Sequence, residues 1–231
     1  MSILIIIPAY NEEKSLPGVI RDIREHAAHA DIIVVDDGSR DGTARVASAL
    51  GITVMSLPFN LGIGGAMQAG YLYADRHGYD IAVQFDGDGQ HRAGEIGKLL
   101  RPLASGDGDI VVGSRFLIPG GYRAPLTRKV GMWIFSFVVS RILGMSISDT
   151  TSGFRAANRR VIEYFAQNYP EDYPEVETLV LVHKKGLRIQ EVPVMMRERT
   201  GGSSSITPVR SVYYMVKVLL AVFVDLLKKV R

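Results

Sequence analysis

Short runs of apolar, often β-branched residues recur along the first half of this sequence, and most of them end in a cluster of polar residues. The runs cover residues 3–7, 31–35, 52–57, 80–85 and 110–112. A strand that is apolar along its whole length is typically covered on both faces, as in a parallel sheet. Since segments suited to helices separate most of the runs, they predict an α/β fold with a mostly parallel sheet and helices on both faces.

The polar clusters follow the predicted strands, which is where ligands of open α/β sheets bind. Asp86 and Asp88 come directly after the fourth run, and their side chains would point to the same side of an extended chain. Two converging carboxylates suit a hard divalent cation, Mg²⁺ or Mn²⁺, and Gln90 can add a neutral oxygen. Gly87 has no Cβ, so a ligand can approach the backbone there. An isolated Asp-x-Asp triplet is more often a polar turn, so the neighbouring motifs decide between the two interpretations.

The composition limits the class of protein. With 231 residues, 47% of them hydrophobic, the chain can form one large α/β domain or a domain with an appendage. It has no cysteine, which excludes disulfides and thiolate metal sites. Basic residues concentrate after about residue 115, a bias that suits an anionic ligand or an anionic membrane surface. The first residues lack a basic segment and a cleavage site, so they predict a strand and not a signal peptide.

The pattern changes after residue 115. We expect a polar loop over residues 150–155 and a helix over residues 159–167. A second helix is expected from residue 173 to about residue 185, where Gly186 is a fitting residue to follow a helix end. Residues 188–194 then predict another strand.

Two apolar stretches, residues 130–143 and the predicted helix after Pro208, fall short of the ~20 uninterrupted residues of a membrane span. Arg141 interrupts the first stretch, while Lys217 and Asp225 interrupt the second. In the last helix, apolar residues recur at helical spacing and basic residues collect at its end. This pattern fits a helix that lies in the membrane interface or docks on a membrane partner, and a core-facing helix is the alternative.

Several single residues near the predicted strand ends could contact a nucleotide. Asp37 could accept hydrogen bonds from a base or ribose, Tyr10 could stack on a base, and Glu12 could bind a ribose hydroxyl. Each of them alone is more often structural. The loop at residues 60–66 resembles a phosphate-binding turn but lacks both the G-x-G-x-x-G pattern and the P-loop lysine. Arg115 follows the fifth run and can oppose phosphate charge with its planar guanidinium.

Six motifs occur in order along the chain, and together they are far more specific than any one of them. They are Ile-Pro-Ala-Tyr-Asn-Glu (7–12), Val-Asp-Asp-Gly-Ser-Arg-Asp-Gly-Thr (35–43), the 60–66 loop, Asp-Gly-Asp-Gly-Gln-His (86–91), Gly-Ser-Arg (113–115) and Ser-Gly-Phe-Arg (152–155). In this combination the chain resembles the family 2 glycosyltransferases of the GT-A type, on the dolichol-phosphate-mannose synthase branch.

Three further stretches make the resemblance narrower. Residues 169–175, 199–206 and 212–218 are similar to those of bacterial undecaprenyl-phosphate sugar transferases, which use UDP-N-acetylglucosamine or UDP-glucose and often work beside a small membrane protein. The resemblance implies a GT-A (nucleotide-diphospho-sugar transferase) fold for residues 1–206. It divides them into a nucleotide-binding half, 1–115, and an acceptor half, 116–206. Residues 207–231 would form an amphipathic helix that associates with the membrane or a partner.

The resemblance also implies roles for individual residues. The nucleotide would be held by Pro8, Ala9, Tyr10, Glu12, Val35, Asp37, Asn60, Gly65, Asp86, Gly87 and Asp88. The metal, Mg²⁺ or Mn²⁺, would be held by Asp86, Asp88 and Gln90. The acceptor would be held by Arg115, Arg128, Ser152, Arg199 and Ser204. Asp88, Arg115, Arg128 and Arg199 would be the catalytic residues.

Some of these assignments leave alternatives open. Lys129 could replace Arg128. The family commonly has lysine where this chain has Ser205, so one phosphate contact differs. His91 could contact the metal or one of its ligands.

The implied reaction is the metal-dependent, inverting transfer of a sugar from a nucleotide diphosphate sugar to a polyprenyl phosphate, at the cytoplasmic face of the cell membrane. The membrane surface, a small integral membrane protein and a second copy of the chain are the expected partners, and nucleic acid is not. The phosphate acceptor is already an oxyanion and needs no strong base. One alternative is a sugar hydroxyl acceptor with Glu175 or Glu177 as base, although both carboxylates also suit a helix N-terminus. The other is a non-catalytic nucleotide-sugar-binding module.

Overall fold

The computed structural model describes residues 1–118, 126–171, 173–197 and Lys217. Within these residues, strands and helices alternate over most of the chain. The strands are β1 Ile3–Ala9, β2 Asp31–Asp36, β3 Thr53–Ser56, β4 Ile81–Gln84, β5 Ile110–Ser114, β6 Arg155–Asn158 and β7 Ile189–Pro193. The helices are α1 Leu16–His26, α2 Thr43–Ala49, α3 Gly62–Arg76, α4 Ile96–Ala104, α5 Leu126–Leu143, α6 Arg159–Asn168 and α7 Pro174–Lys184.

The strands form one sheet in the order β3-β2-β1-β4-β6-β5-β7. Four neighbouring pairs are parallel, and the two pairs that include β6 are antiparallel. The predicted α/β fold with a mostly parallel sheet is therefore confirmed. The strand order reverses at β1, which has β2 on one side and β4 on the other, and such a reversal opens a crevice at the C-terminal strand ends.

Strand β6 has no counterpart in the sequence-based prediction, which expects only a polar loop over residues 150–155. The strand begins at Arg155 and continues through two alanines to Asn158. Small and polar residues of this kind carry a weak strand signal. The strand forms because it fits between β4 and β5, where Ala156 pairs with Val83 on one side and Val111 on the other.

The continuous apolar run of β1 divides between two hydrophobic cores. Leu4 and Ile6 belong to one core, with residues of α3, α6 and α7. Ile5 and Ile7 belong to the other, with residues of α1 and α4. Each fully buried isoleucine contributes about 1.5–3 kcal/mol. Burial on both faces explains why this strand lacks an alternating polar pattern.

The predicted end of α7 is confirmed. Gly186 has a φ of 68°, which is the left-handed conformation that follows many helix ends. Its backbone N–H donates to the carbonyl oxygen of His183. The apolar stretch over residues 130–143 lies in α5, and the predicted helix after Pro208 lies outside the described residues, apart from Lys217. Among the described helices, none is both long enough and apolar enough to cross a bilayer.

Candidate active site

The C-terminal ends of β1, β2 and β4 meet at one edge of the sheet. Ala9 pairs with Asp36, and Ile6 pairs with Gln84, so the loops that follow these strands are neighbours. Because β6 runs in the opposite direction, the segment before it reaches the same edge, where Arg155 pairs with Gln84. Polar loops at four strands therefore meet at one edge of the sheet, where the reversed strand order predicts a crevice.

Close backbone packing holds the loops after β1 and β4 together. A Cβ atom at Gly87 would lie 3.3 Å from the carbonyl oxygen of Pro8 and 3.6 Å from Cγ of Glu12. The backbone N–H of Asp37 donates to the carbonyl oxygen of Ala9 at 2.9 Å. Close contacts thus join five residues of the predicted nucleotide site, including Asp37, at this edge of the sheet.

The side chain of Asp37 has a clear structural partner. It is only 4% exposed, and its two carboxylate oxygens accept hydrogen bonds from the backbone N–H groups of Leu61 and Gly62, at 2.7 and 2.9 Å. Burial raises the pKa of Asp37, the two hydrogen bonds oppose the rise, and the neighbouring Asp36 adds to it. A carboxylate therefore occupies the start of α3, where a phosphate could otherwise bind.

The glycines at the start of α3 serve close packing. A Cβ atom at Gly64 would lie 2.6 Å from the carbonyl oxygen of Pro170, and one at Gly65 would lie 2.5 Å from Cβ of Leu61. Asn60, another predicted nucleotide residue, is exposed in the preceding loop. These contacts give the glycine-rich loop a structural role that its resemblance to a phosphate-binding turn did not reveal.

The other predicted nucleotide residues differ in accessibility. Tyr10 is 43% exposed, so its ring is open to a ligand. Glu12 accepts a hydrogen bond from the Ser15 hydroxyl at 2.5 Å. Val35 is fully buried in the core, so a nucleoside could meet only its backbone.

Asp86 lies at the end of β4 in a partly buried position, with 35% of its side chain exposed. Its backbone N–H donates to Nδ1 of His91 at 3.0 Å, and its Oδ2 lies 3.4 Å from Nε2 of the same ring. Burial raises the pKa of Asp86, while a hydrogen bond from the Gln84 side chain and the charges of Arg115 and Arg155 oppose the rise. Burial and the neighbouring polar groups therefore have opposite effects on the pKa of the Asp86 carboxylate.

Asp88 lies two residues further along the same turn. Its Oδ1 accepts a hydrogen bond from the backbone N–H of Gln90 at 3.0 Å, so the turn itself orients this carboxylate. Among the described residues, no group of three or more histidine, aspartate or glutamate side chains could hold a metal ion alone. The two aspartates and the Gln90 amide still fit Mg²⁺ or Mn²⁺, because such ions often take only one or two carboxylates and complete their shell with phosphate oxygens and water.

His91 is buried under the turn, with 3% of its surface exposed. Its ring stacks on Phe154, with centroids 4.7 Å apart and planes 19° apart, and meets the edge of Phe85 at 5.3 Å. Burial lowers the pKa of His91 to about 4, although the charge of Asp88 opposes this. The imidazole is therefore neutral around pH 7.

Arg115 is held by a carboxylate that the sequence analysis missed. Its Nε and Nη2 donate to Oδ2 and Oδ1 of Asp149, at 2.7 and 2.8 Å, and Nη2 also donates to the Thr151 hydroxyl. Asp149 is buried, and Glu191 accepts hydrogen bonds from its backbone N–H and from that of Ser148. The polar run ahead of the Ser-Gly-Phe-Arg motif was the available signal for Asp149.

Arg155 joins the segment before β6 to the start of α7. Its guanidinium, 3% exposed, donates to the carbonyl oxygen of Ser152 at 2.7 Å and to the hydroxyl of Thr178 at 2.6 Å. It also donates to the carbonyl oxygen of Glu175 at 2.5 Å. Ser152, a predicted acceptor residue, has a buried hydroxyl that accepts a hydrogen bond from the backbone N–H of Phe154.

Glu175 and Glu177 both lie in the first turn of α7, where the helix dipole favours carboxylates. Burial raises the pKa of Glu175, the charge of Arg155 opposes the rise, and the charge of Asp86 adds to it. The charge of Asp86 therefore acts on the pKa of Glu175. The predicted role of Glu175 as a base stays a prediction.

Comparison with known proteins identifies the family. Residues 4–165 match the family described as glycosyl transferase family 2. The chain is a family 2 glycosyltransferase. The prediction from the six ordered motifs is confirmed.

Two relatives and one solved structure place this glycosyltransferase more closely. UDP-N-acetylglucosamine–dolichyl-phosphate N-acetylglucosaminyltransferase of Methanococcus voltae is 34% identical over 212 residues, which are 83% of this chain and 84% of the relative. Undecaprenyl-phosphate mannosyltransferase of Micrococcus luteus is 34% identical over 217 residues, 90% of this chain and 88% of the relative. Glucosyl-3-phosphoglycerate synthase from Mycobacterium tuberculosis, solved with Mn²⁺, UDP and glucosyl-3-phosphoglycerate, has a TM-score of 0.75 at 23% identity, covering 97% of this chain and 79% of that chain. The last likeness concerns the fold and agrees with the predicted GT-A architecture.

Three further residues of the glycosyltransferase are predicted to bind the acceptor. Arg128 lies in α5, whereas Arg199 and Ser204 lie outside the described residues. The chain reaches the Asp86–Gln90 turn shortly before Arg199, because the backbone N–H of Arg197 donates to the carbonyl oxygen of Gln90 at 2.7 Å.

Proposed function

We propose that this family 2 glycosyltransferase moves a sugar from a nucleotide diphosphate sugar to a polyprenyl phosphate, with inversion at the anomeric carbon. The proposal is supported first by the Asp86–Asp88 turn, which packs against Pro8 and Glu12 at the crevice. It is supported also by the names of the two relatives, both of which transfer a sugar to a polyprenyl phosphate. Those relatives transfer different sugars, so UDP-N-acetylglucosamine or UDP-glucose as donor rests on the sequence resemblance.

The donor would bind across the loops that follow β1, β2 and β4. Asp86, Asp88 and Gln90 would hold Mg²⁺ or Mn²⁺, which when bound supplies positive charge that offsets the negative charge of the leaving diphosphate. Tyr10, with its exposed ring, would contact the base, and Glu12 would contact the ribose. Residues 1–115 would in this way form the nucleotide-binding half of a catalytic domain that spans residues 1–206.

The acceptor half would bring a second anion to the donor. Arg115, oriented by Asp149, lies close enough to the Asp86 turn for its charge to act on that carboxylate. Together with Arg128, Arg199 and Ser204, it would reduce the repulsion between a lipid phosphate and the diphosphate. The phosphate oxygen is ionised at neutral pH and can attack C1 of the sugar opposite the leaving group. This geometry inverts the anomeric centre without a strong general base.

The test is direct assay of the lipid product. The full chain is incubated with Mn²⁺, a short-chain polyprenyl phosphate and a panel of nucleotide sugars, and the product is identified by mass. Asp88→Ala is expected to abolish the product, because it removes one of the two carboxylates of the turn. Asp80→Ala is the matched control, since Asp80 bonds Ser2 near the opposite end of β4 and is expected to keep activity. Full activity of Asp88→Ala would remove the metal assignment.

A second candidate function has one observation in its favour. The raised pKa of Glu175 and its coupling to Asp86 suit a general base for a sugar hydroxyl acceptor. In the lipid-phosphate reaction, Glu175→Gln together with Glu177→Gln is expected to leave most activity intact. Loss of all transfer to the lipid phosphate would favour the hydroxyl acceptor instead. Binding of UDP and Mn²⁺ without any turnover would favour a non-catalytic binding module.

We also propose that the enzyme works at the cell membrane, because its acceptor would be a lipid, and at its cytoplasmic face, as the sequence resemblance implies. The amphipathic pattern of residues 207–231 supports contact with the membrane surface or with a small integral membrane protein, and a homo-oligomer is a further prediction. Co-sedimentation with anionic vesicles tests the membrane contact. Equal recovery of the full chain and of a chain ending before Pro208 would contradict it.

A further inference from the structure

Both ring nitrogens of His91 face the same residue. Nδ1 accepts a hydrogen bond from the backbone N–H of Asp86 at 3.0 Å, so this nitrogen carries no proton. A neutral imidazole then carries its proton on Nε2, which lies 3.4 Å from Oδ2 of Asp86. One nitrogen therefore contacts the backbone of Asp86, and the other lies within 3.4 Å of its carboxylate.

The imidazole has little freedom to turn. It lies between Phe154, on which it stacks, and the edge of Phe85, and it is almost fully buried. A rotation of the ring would require both aromatic side chains to move. The orientation of the Nε2–H group is thus built into the core beneath the turn.

Further contacts restrict the Asp86 carboxylate on its inner side. The Gln84 side chain forms a hydrogen bond with it. A Cβ atom at Gly153 would lie 3.0 Å from Oδ2 of Asp86 and 3.0 Å from Nε2 of Gln84, so the backbone of Gly153 approaches both groups closely. These contacts restrict the carboxylate, although 35% of the Asp86 side chain stays exposed.

The second carboxylate of the turn has a different support. Oδ1 of Asp88 accepts its hydrogen bond from the backbone of Gln90, within the turn. A substitution of His91 should therefore act on the turn mainly through Asp86.

We propose that His91 is a positioning residue that fixes the side chain of Asp86 and thereby sets the affinity of the turn for a divalent cation. This inference rests on the proposed function, in which Asp86 is a metal ligand. Groups that orient metal ligands change metal affinity by about 10- to 100-fold when they are removed. The Nε2–H contact should carry this effect, because it reaches the carboxylate itself.

Two isosteres separate the roles of the two nitrogens. In His91→Asn the amide lies near the position of Nδ1, and in His91→Gln the amide nitrogen can lie near the position of Nε2. Mn²⁺ binding to the full chain in the presence of UDP is measured from the electron paramagnetic resonance signal of free Mn²⁺. We expect His91→Asn to weaken Mn²⁺ binding about tenfold or more, and His91→Gln to stay within about threefold of the unsubstituted protein.

The control pair is His77→Asn and His77→Gln. His77 lies at the end of α3, where Nδ1 contacts the carbonyl oxygen of Tyr73 and the ring stacks on Tyr73, and neither change should alter Mn²⁺ binding. Thermal melting of all four variants is recorded alongside, since a purely structural role would lower the melting temperature of both His91 variants without separating their Mn²⁺ affinities.

Equal Mn²⁺ affinities for the two His91 variants would overturn the proposal, whether both match the unsubstituted protein or both fall. If Asp88→Ala loses Mn²⁺ binding while His91→Asn keeps it, only the role of His91 fails. If the unsubstituted protein binds no Mn²⁺ with UDP, the proposed function and this inference both fail.

Discussion

Arg155 offers a stringent test of how the crevice is held together. Its guanidinium donates to the carbonyl oxygens of Thr150, Ser152 and Glu175 and to the hydroxyl of Thr178. These contacts join the segment before β6 to the first turn of α7. Arg155→Lys keeps the positive charge but replaces a planar fork with donors that radiate from one nitrogen.

The expected loss follows from the contacts that lysine cannot keep. A lysine ammonium has three N–H donors on one nitrogen, so at least one of the four acceptors loses its charge-assisted hydrogen bond. Each such bond is worth about 1.5–3 kcal/mol, which gives a loss of at least about 1.5–3 kcal/mol in the free energy of unfolding. A domain of this kind is stable by only about 5–15 kcal/mol, so the change should be large.

Urea denaturation of Arg155→Lys measures this loss, with Arg159→Lys as the matched control. Arg159 pairs with Asp75 and Glu163 but is 37% exposed, so its replacement should cost at most about 1 kcal/mol. The reasoning is refuted if Arg155→Lys loses no more stability than the control.

Two further predictions concern the stability of the fold. At Gly64 a Cβ atom would meet the carbonyl oxygens of Pro170 and Glu171, so Gly64→Ala should cost about 1–3 kcal/mol in unfolding free energy. Gly18→Ala, where a Cβ atom meets nothing within 4 Å, is the control, and equal effects of the two changes would contradict the packing argument. Burial would raise the pKa of Asp109, but hydrogen bonds from Arg188 and Asn158 and the charge of Arg160 outweigh it and hold this pKa below its ordinary value. The charged form therefore adds stability above the unfolded-state pKa, and this contribution is lost as the pH falls through the folded-state pKa. Asp109→Asn should lower the unfolding free energy at pH 7 by about 1–3 kcal/mol, and a deficit that stays undiminished in an acidic denaturation series would count against this explanation.

The sheet could be predicted from the sequence because β1, β2 and β4 are nearly continuous apolar runs. The position of β6 could not, since Ala156 and Ala157 have little strand preference of their own and acquire it from the strands on either side. Whether such a segment forms a strand depends on the strands that it pairs with, which are distant in the sequence.

The candidate site could be predicted only in part from the sequence. The motifs around Asp86 and Arg115 mark residues at the shared strand edge, but they do not reveal the supports beneath them. Asp149 is a buried partner whose role depends on contacts across 34 positions of the chain. Asp37 shows a second limit of the motifs. They assign it to the ligand, but its carboxylate also accepts hydrogen bonds from the start of α3.

The reversed direction of β6 has a consequence for how such enzymes diversify. The loops that would hold the donor all follow strands, whereas residues 149–154 enter the crevice ahead of one. That segment is anchored by Arg155 on one side and by Glu191 on the other, and it shares no strand with the donor loops. Insertions or replacements between α5 and β6 can therefore reshape one wall of the crevice while the nucleotide wall keeps its own framework.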